Sequence, residues 1–176
     1  MHYTLIETAL GTYGLAWSKT GVRYVALPGR TANALGGWIE RIGAEPGEPA
    51  GVYAELPDMI RRYADGEQVD FSAIPLDLSG VPEFNRLAYA ELLKVGYGET
   101  TTYGAIARAL GDVALSRAVG TAMGQNPIPL IIPCHRVMGA NGKPTGFSSP
   151  GGVTAKMRML ALEHAALPSG QYAFGF

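Results

Sequence analysis

With 176 residues, 47% of them hydrophobic and 16% charged, the chain is long enough for one ample core or two small domains. It has no apolar stretch near about twenty residues, and the start Met1-His2-Tyr3-Thr4-Leu5-Ile6-Glu7 lacks the basic opening and long apolar run of a secretory signal, so neither a membrane span nor export is expected. A net charge of −1 and a pI near 6.3 exclude the broad basic footprint of a strong non-specific DNA binder, and a single cysteine excludes an intrachain disulfide, which points to a reducing, cytoplasmic setting.

The first half reads as a β-rich opening followed by helices. Thr4 to Glu7, Tyr13 to Ser18 and Arg23 to Leu27 are short runs rich in Tyr, Val, Leu and Thr, broken by Gly11 and Thr20-Gly21, a pattern that predicts a small meander. Apolar spacing predicts helices over Thr31–Ile42 and Tyr53–Ala64, with Gly43–Gly51 as the loop between them. Phe71 to Leu78 is a candidate last strand. Arg61-Arg62 reads as a solvated helix face, and nothing in this half forms a catalytic cluster.

Ser79-Gly80-Val81-Pro82 has the composition of a linker, which divides the chain into domains at 1–80 and 81–176. The charge divides as well: the first carries six Lys/Arg against ten Asp/Glu, the second eight against five. The second half is therefore the side able to face phosphate, weakly and with salt sensitivity. There, Phe84–Val95 carries apolar residues at Phe84, Leu87, Ala88, Leu92 and Leu93, one helix face ended by Gly96-Tyr97-Gly98. Thr102 is a credible N-cap for a helix over Tyr103–Leu110, stopped by Gly111-Asp112, and Val113–Met123 gives a third helix. Two short helices joined by a tight turn read as helix-turn-helix, which serves packing as often as recognition.

The only cysteine follows the apolar run Ile128–Ile132 in Pro133-Cys134-His135-Arg136. A thiol beside an imidazole is a candidate nucleophile, since the thiolate is the attacking species and a neighbouring base can supply it. On a strand the two side chains would point to opposite faces, so cooperation requires a turn, for which Pro129 and Pro133 are suitable interruptions. The alternative is a buried cysteine used as a small hydrophobe. No His/Cys/carboxylate spacing suggests a metal, His2 and His164 read as surface residues, and Gly139-Ala140-Asn141-Gly142 reads as a tight turn instead of a phosphate loop.

From Val81 to about Ala165 the chain resembles the active-site domain of O6-alkylguanine-DNA alkyltransferases. The resemblance rests on an ordered set: Pro82-Glu83-Phe84, Gly96-Tyr97-Gly98-Glu99-Thr100-Thr101-Thr102-Tyr103, Ser116-Arg117-Ala118-Val119-Gly120-Thr121-Ala122-Met123, Asn126-Pro127-Ile128-Pro129 and Pro133-Cys134-His135-Arg136-Val137. Gly146-Phe147-Ser148, Gly151-Gly152, Lys156 and Glu163 follow in the family's order.

The resemblance implies a ribonuclease-H-like α/β N-terminal domain and a mainly α, winged-helix-like C-terminal domain whose helix-turn-helix meets the minor groove. It implies irreversible, single-turnover transfer of an alkyl group from O6-alkylguanine in double-stranded DNA to Cys134, by a monomer that needs no cofactor and no metal. The structural zinc that some members hold with N-terminal cysteines is absent, because this chain has none there. By the same resemblance, Glu163 orients His135, which takes the proton of Cys134. Asn126 braces the turn, and Tyr103 and the backbone N–H of Ser148 assist the leaving base. Arg117 fills the space of the extruded nucleotide while Ser116, Ala118, Gly120 and Thr121 approach the groove. Met123, Pro129 and Phe147 line the pocket, and the carbonyls of Cys134 and Val137 meet the exocyclic amine.

Two departures from the family pattern stand out. Asp112-Val113-Ala114-Leu115-Ser116 replaces a lead-in that usually holds a lysine and a smaller residue than Leu115, and Phe147-Ser148-Ser149-Pro150-Gly151-Gly152 is two residues longer than the usual aromatic-Ser-Gly-Gly. The longer loop either widens the pocket or bulges into solvent. A lesion-binding protein without chemistry and a multi-turnover cysteine hydrolase are the competing classes. Cys134 argues against the first; Tyr103, Arg117 and the helix-turn-helix argue against the second. Alkyl size, O4-alkylthymine as substrate, cooperativity on DNA and the purpose of the aromatic tail Tyr172–Phe176 are left open.

Overall fold

Strand β1 (His2–Thr8) and strand β2 (Gly11–Trp17) pair antiparallel from His2↔Trp17 to Thr8↔Gly11. The turn between them is closed by Thr8, whose hydroxyl donates to Gly11 O and accepts from Leu10 N–H. Strand β3 (Val22–Ala26) adds antiparallel to β2, so the predicted meander is present. The computed structural model describes residues 1–166, and the aromatic tail lies outside them.

Two predictions for the first half require correction. The loop 43–51 contains a short strand, β4 (Glu45–Pro46), which pairs parallel with β1 and completes a sheet of order β3-β2-β1-β4. Conversely, 71–78 is not a strand: only Leu76 forms a bridge, with Val22. Pro75 has no N–H to offer a ladder, and local bonds win just before it, with Ser72 N–H on Asp70 Oδ1 at 2.8 Å and Ile74 N–H on Phe71 O at 3.1 Å.

Helix α1 (Ala32–Arg41) starts at Thr31, whose hydroxyl accepts from Ala34 N–H, and buries Leu35 and Ile39 against Tyr3, Ala16 and Ala44. Helix α2 (Leu56–Ala64) starts later than its spacing predicts, behind a 3₁₀ turn at Gly51–Tyr53, and buries Leu56, Ile60, Tyr63 and Ala64. Arg61 and Arg62 are exposed on its outer face.

These elements belong to one compact unit, 1–78 with 127–131; of the described residues, the second unit holds 79–126 and 132–166. The apolar run before the cysteine is thus divided between the units, and within it Leu130 adopts a left-handed φ of 80°, a conformation that costs a branched side chain about 1–2 kcal/mol.

In the second unit, helix α3 (Glu83–Leu92) buries Asn85, Ala88, Tyr89 and Leu92. This i, i+3, i+4, i+7 face differs from the predicted one, leaving Leu87 52% and Leu93 44% exposed. Hydrophobicity misleads here because two polar groups on the buried face are satisfied: Asn85 Nδ2 donates to Gln125 Oε1 at 2.9 Å and the Tyr89 hydroxyl to Ala122 O at 2.7 Å.

Helix α4 (Tyr103–Ala109) is capped by Thr102 as predicted, its hydroxyl accepting from Ala105 N–H. The third predicted helix is broken in two. Asp112 accepts from Ala114 N–H and starts a 3₁₀ turn, Val113–Leu115, before helix α5 (Ser116–Gly124). A parallel pair that the sequence did not disclose, β5 (Thr101–Thr102) with β6 (Val137–Met138), links the start of α4 to the chain just after the cysteine turn. Helix α6 (Gly152–Leu162), also not predicted, packs Leu160 and Ala161 against Met138 and Ala165. No helix among the described residues is long and apolar enough to cross a membrane.

Candidate active site

Cys134, His135 and Arg136 form one 3₁₀ turn, the interruption that the Cys-His pair requires to cooperate. Pro133 starts it, and two donors fix its approach by sharing the carbonyl of Ile132: Cys134 N–H at 2.8 Å and Asn126 Nδ2 at 2.8 Å. Asn126 therefore braces the turn directly. Cys134 is 6% exposed, and burial pushes its thiol above the ordinary value, with Asn126 and the charge of Lys156 acting in the opposite direction. The resting group is the thiol, so a base is needed.

Behind it lies a buried ion cluster. His135 and Glu163 are almost fully enclosed, and His135 Nε2 meets Glu163 Oε1 at 2.7 Å. Arg136 clamps the same carboxylate, Nε to Oε2 at 2.9 Å and Nη2 to Oε1 at 3.1 Å, while Nη1 donates to Val95 O at 2.7 Å. Gly98 N–H adds a donor to Oε2 at 3.3 Å. Only glycine fits at 98, since φ is +75° and a Cβ would stand 2.9 Å from Glu163 O.

Burial alone would raise the Glu163 carboxyl, but the His135 and Arg136 contacts outweigh it and hold it at about 2. Burial likewise lowers His135 below an ordinary imidazole, against the pull of Glu163. The neutral ring then donates from Nε2 to the carboxylate and keeps a lone pair on Nδ1, which is buried and has no hydrogen-bond partner among the described residues. That is a base with its tautomer fixed.

In front of the cysteine opens a cavity of about 520 Å³ lined by Tyr103, Gly120, Met123, Cys134, Phe147 and Ser148, with Gly124, Thr145 and Gly146 completing the wall. The Tyr103 hydroxyl donates to Thr145 O at 3.0 Å and Gly146 O at 3.4 Å, and the Ser148 hydroxyl to Gly124 O at 3.0 Å. On α5, Val119, Ala122 and Met123 are buried while Arg117, Ala118 and Thr121 are exposed, with Ser116 and Gly120 half-buried. Arg117 is exposed and makes no ion pair among the described residues.

Pro129 and Val137, also expected at the pocket, are buried, and the Val137 carbonyl accepts from Lys156 Nζ. Residue-by-residue reading also gave no role to Arg136 or Lys156. The adjacency of Arg136 to His135 was a usable signal; for Lys156, nothing in the local sequence indicates a lysine buried to 0% exposure. Among the described residues no group of three or more His, Cys, Asp or Glu could hold a metal ion.

Comparison with known proteins agrees with this geometry. Residues 83–165 match the family model described as 6-O-methylguanine DNA methyltransferase, DNA binding domain. The chain is 37% identical over 180 residues to the methylated-DNA–protein-cysteine methyltransferase of Mycolicibacterium paratuberculosis, covering 99% of each. It is 42% identical over 119 residues to that of Mycobacterium tuberculosis, covering 68% of this chain and 70% of the relative. A crystal structure of Mycobacterium tuberculosis OGT in complex with DNA superposes with a TM-score of 0.77 at 36% identity, over 93% of this chain and 92% of that one. With near-complete coverage at this identity, and a buried cysteine, imidazole and carboxylate in sequence behind one cavity, the chain belongs to the methylated-DNA–protein-cysteine methyltransferase family.

Proposed function

We propose that the chain repairs DNA by direct reversal, moving one alkyl group from O6 of a guanine onto Sγ of Cys134, once per molecule. The observation that carries this reading is the thiol buried at the wall of a 520 Å³ cavity with a tautomer-fixed imidazole next to it in the chain. The volume lies in the range that encloses a small ligand, and a base can reach such a thiol only after leaving the stack.

The chemistry runs in one displacement. His135 Nδ1 takes the proton of Cys134, directly or through a water, and the carboxylate of Glu163, itself held in place by Arg136, stabilises the resulting imidazolium. The thiolate attacks the alkyl carbon: an S–C bond forms, the C–O6 bond breaks, and the electron pair leaves with guanine. Guanine is a poor leaving group as an anion, so Tyr103 donates toward a ring nitrogen and Ser148 N–H toward O6. Met123 and Phe147 enclose the base and alkyl group. The thioether is stable and nothing in the site removes it, so turnover stops at one.

Double-stranded DNA is the partner in this reading, supported by the Mycobacterium tuberculosis relative crystallised with DNA. Helices α4 and α5 form the helix-turn-helix of a winged-helix-like domain. The exposed small face of α5, with Ser116, Ala118, Gly120 and Thr121, enters the minor groove, and Arg117 occupies the place of the extruded nucleotide. The first unit is the ribonuclease-H-like support, and the protein acts as a cytoplasmic monomer. The test is intact-protein mass after mixing with a short duplex bearing one O6-methylguanine. A gain of one methyl group, stopping at one and absent in Cys134→Ala, is expected; binding without a mass change makes the protein a lesion sensor instead.

A further inference from the structure

Lys156 is the one buried charge at the site that the mechanism above does not use. It stands on α6 at 0% exposure, and no carboxylate pairs with it among the described residues. A methionine would fill the same space without desolvating an ammonium, so the lysine costs stability that only its donors can offset. Those donors go to two backbone carbonyls: Val137 O, one residue past the cysteine turn, and Thr145 O at 3.2 Å, in the cavity wall.

The Thr145 carbonyl is therefore shared. It accepts from Lys156 Nζ and, at 3.0 Å, from the Tyr103 hydroxyl, and Nζ lies 6.0 Å from the centre of the Tyr103 ring. A hydroxyl has one proton to donate. For Tyr103 to donate to a departing base, it must release the wall carbonyls that it holds here. Thr145 is exposed here and water can reach its carbonyl, but a base seated in the cavity displaces that water, and a carbonyl abandoned then would lose its hydrogen bond outright, which would oppose the switch.

We propose that Lys156 is a positioning residue for Tyr103, holding the Thr145 carbonyl satisfied so that the tyrosine hydroxyl is free to turn from the pocket wall to the leaving guanine. The inference rests on the reading of Tyr103 as a donor to the base. Burial lowers the Lys156 ammonium to about 8, so near neutral pH it still carries its full set of donors. The same charge favours the Cys134 thiolate, an effect that is separable because it does not pass through Tyr103.

The experiment is a double-mutant cycle on the full chain, with Lys156→Met, Tyr103→Phe and the pair. Single-turnover methyl transfer from an O6-methylguanine duplex is measured at saturating protein, and each rate is divided by that variant's rate of Cys134 alkylation by iodoacetamide. After this normalisation Lys156→Met is expected to lose about tenfold in the wild-type background and less than about twofold in the Tyr103→Phe background, with duplex affinity unchanged. Equal losses in both backgrounds overturn the proposal, as does a loss that normalisation removes, which would assign Lys156 to the thiol alone. A Tyr103→Phe variant that transfers at the wild-type rate overturns the reading of Tyr103 and the proposal with it. Should Lys156→Met fail to fold, Lys156→Gln, which keeps a donor on a shorter arm, is expected to show an intermediate loss that again vanishes without the tyrosine hydroxyl; persistence of that loss overturns the proposal equally.

Discussion

The two units bury different kinds of side chain. Among the described residues the first encloses one charged side chain, Asp77, at 8% exposure, whereas the second encloses His135, Lys156 and Glu163 and the polar Asn85. Asp77 meets Arg23 at 3.2 Å and the Ser18 hydroxyl at 2.7 Å near the surface. The second unit's charges lie deeper, each at 2% exposure or less. Burying an ion costs several kcal/mol unless it is paired and hydrogen-bonded, so a region that concentrates buried ions has traded stability for control of protonation. The first unit gathers no such cluster of buried ions and makes no such trade.

The largest effect that tests this contrast is expected for Glu163→Gln. Removing the charge loosens the imidazole's tautomer and its charged form, and transfer should slow by about a hundredfold or more. The stability change has a defined pH window. Because the folded carboxyl titrates at about 2, below the unfolded value near 4.5, its contribution is present in full above about pH 4.5 and is lost as pH falls toward 2. That difference corresponds to about 3 kcal/mol. Urea unfolding of both proteins across this range should show the wild type losing its advantage in that window; parallel curves would remove Glu163 as the site's charged anchor.

The next effect is on the nucleophile. With the thiol raised by burial, the rate of Cys134 alkylation by iodoacetamide should climb about tenfold per pH unit through neutrality and level off only above the ordinary cysteine value. A plateau already reached below neutral pH would mean a resting thiolate and would leave His135 without a proton to accept.

What was legible in the sequence follows the same physics. Local signals succeeded: the strand runs around Gly11 and Gly21, the hydroxyl caps at Thr31 and Thr102, and the break that puts Cys134 and His135 on a turn all depend on neighbours in the chain. Signals that depend on distant partners failed. The pairing of Thr101–Thr102 with Val137–Met138 spans more than thirty residues of sequence separation, and Asn85 lies outside the apolar face read for its helix, although Gln125 satisfies its amide where it is buried. The site divides in the same way. Cys134, His135, Glu163, Asn126 and Tyr103 were named through an ordered motif set, but the work of Lys156 is set by two carbonyls on other elements, and periodicity carries no trace of that.

The smallest effect is expected in the first unit. Asp77→Asn weakens the ion pair with Arg23, which is 29% exposed, while the hydroxyl of Ser18 can still donate to the amide oxygen. An ion pair partly open to water contributes about 1 kcal/mol or less, so a small fall in thermal stability is expected, with the single-turnover rate unchanged. The informative quantity is the ratio of the two changes. If the rate falls tenfold alongside a stability loss of that size, the acid of the first unit acts on the chemistry of the second, and the separation between a packing unit and a protonation unit fails at its simplest point. If only stability moves, ionisable groups influence transfer where they are enclosed with the thiol and not merely because they are buried.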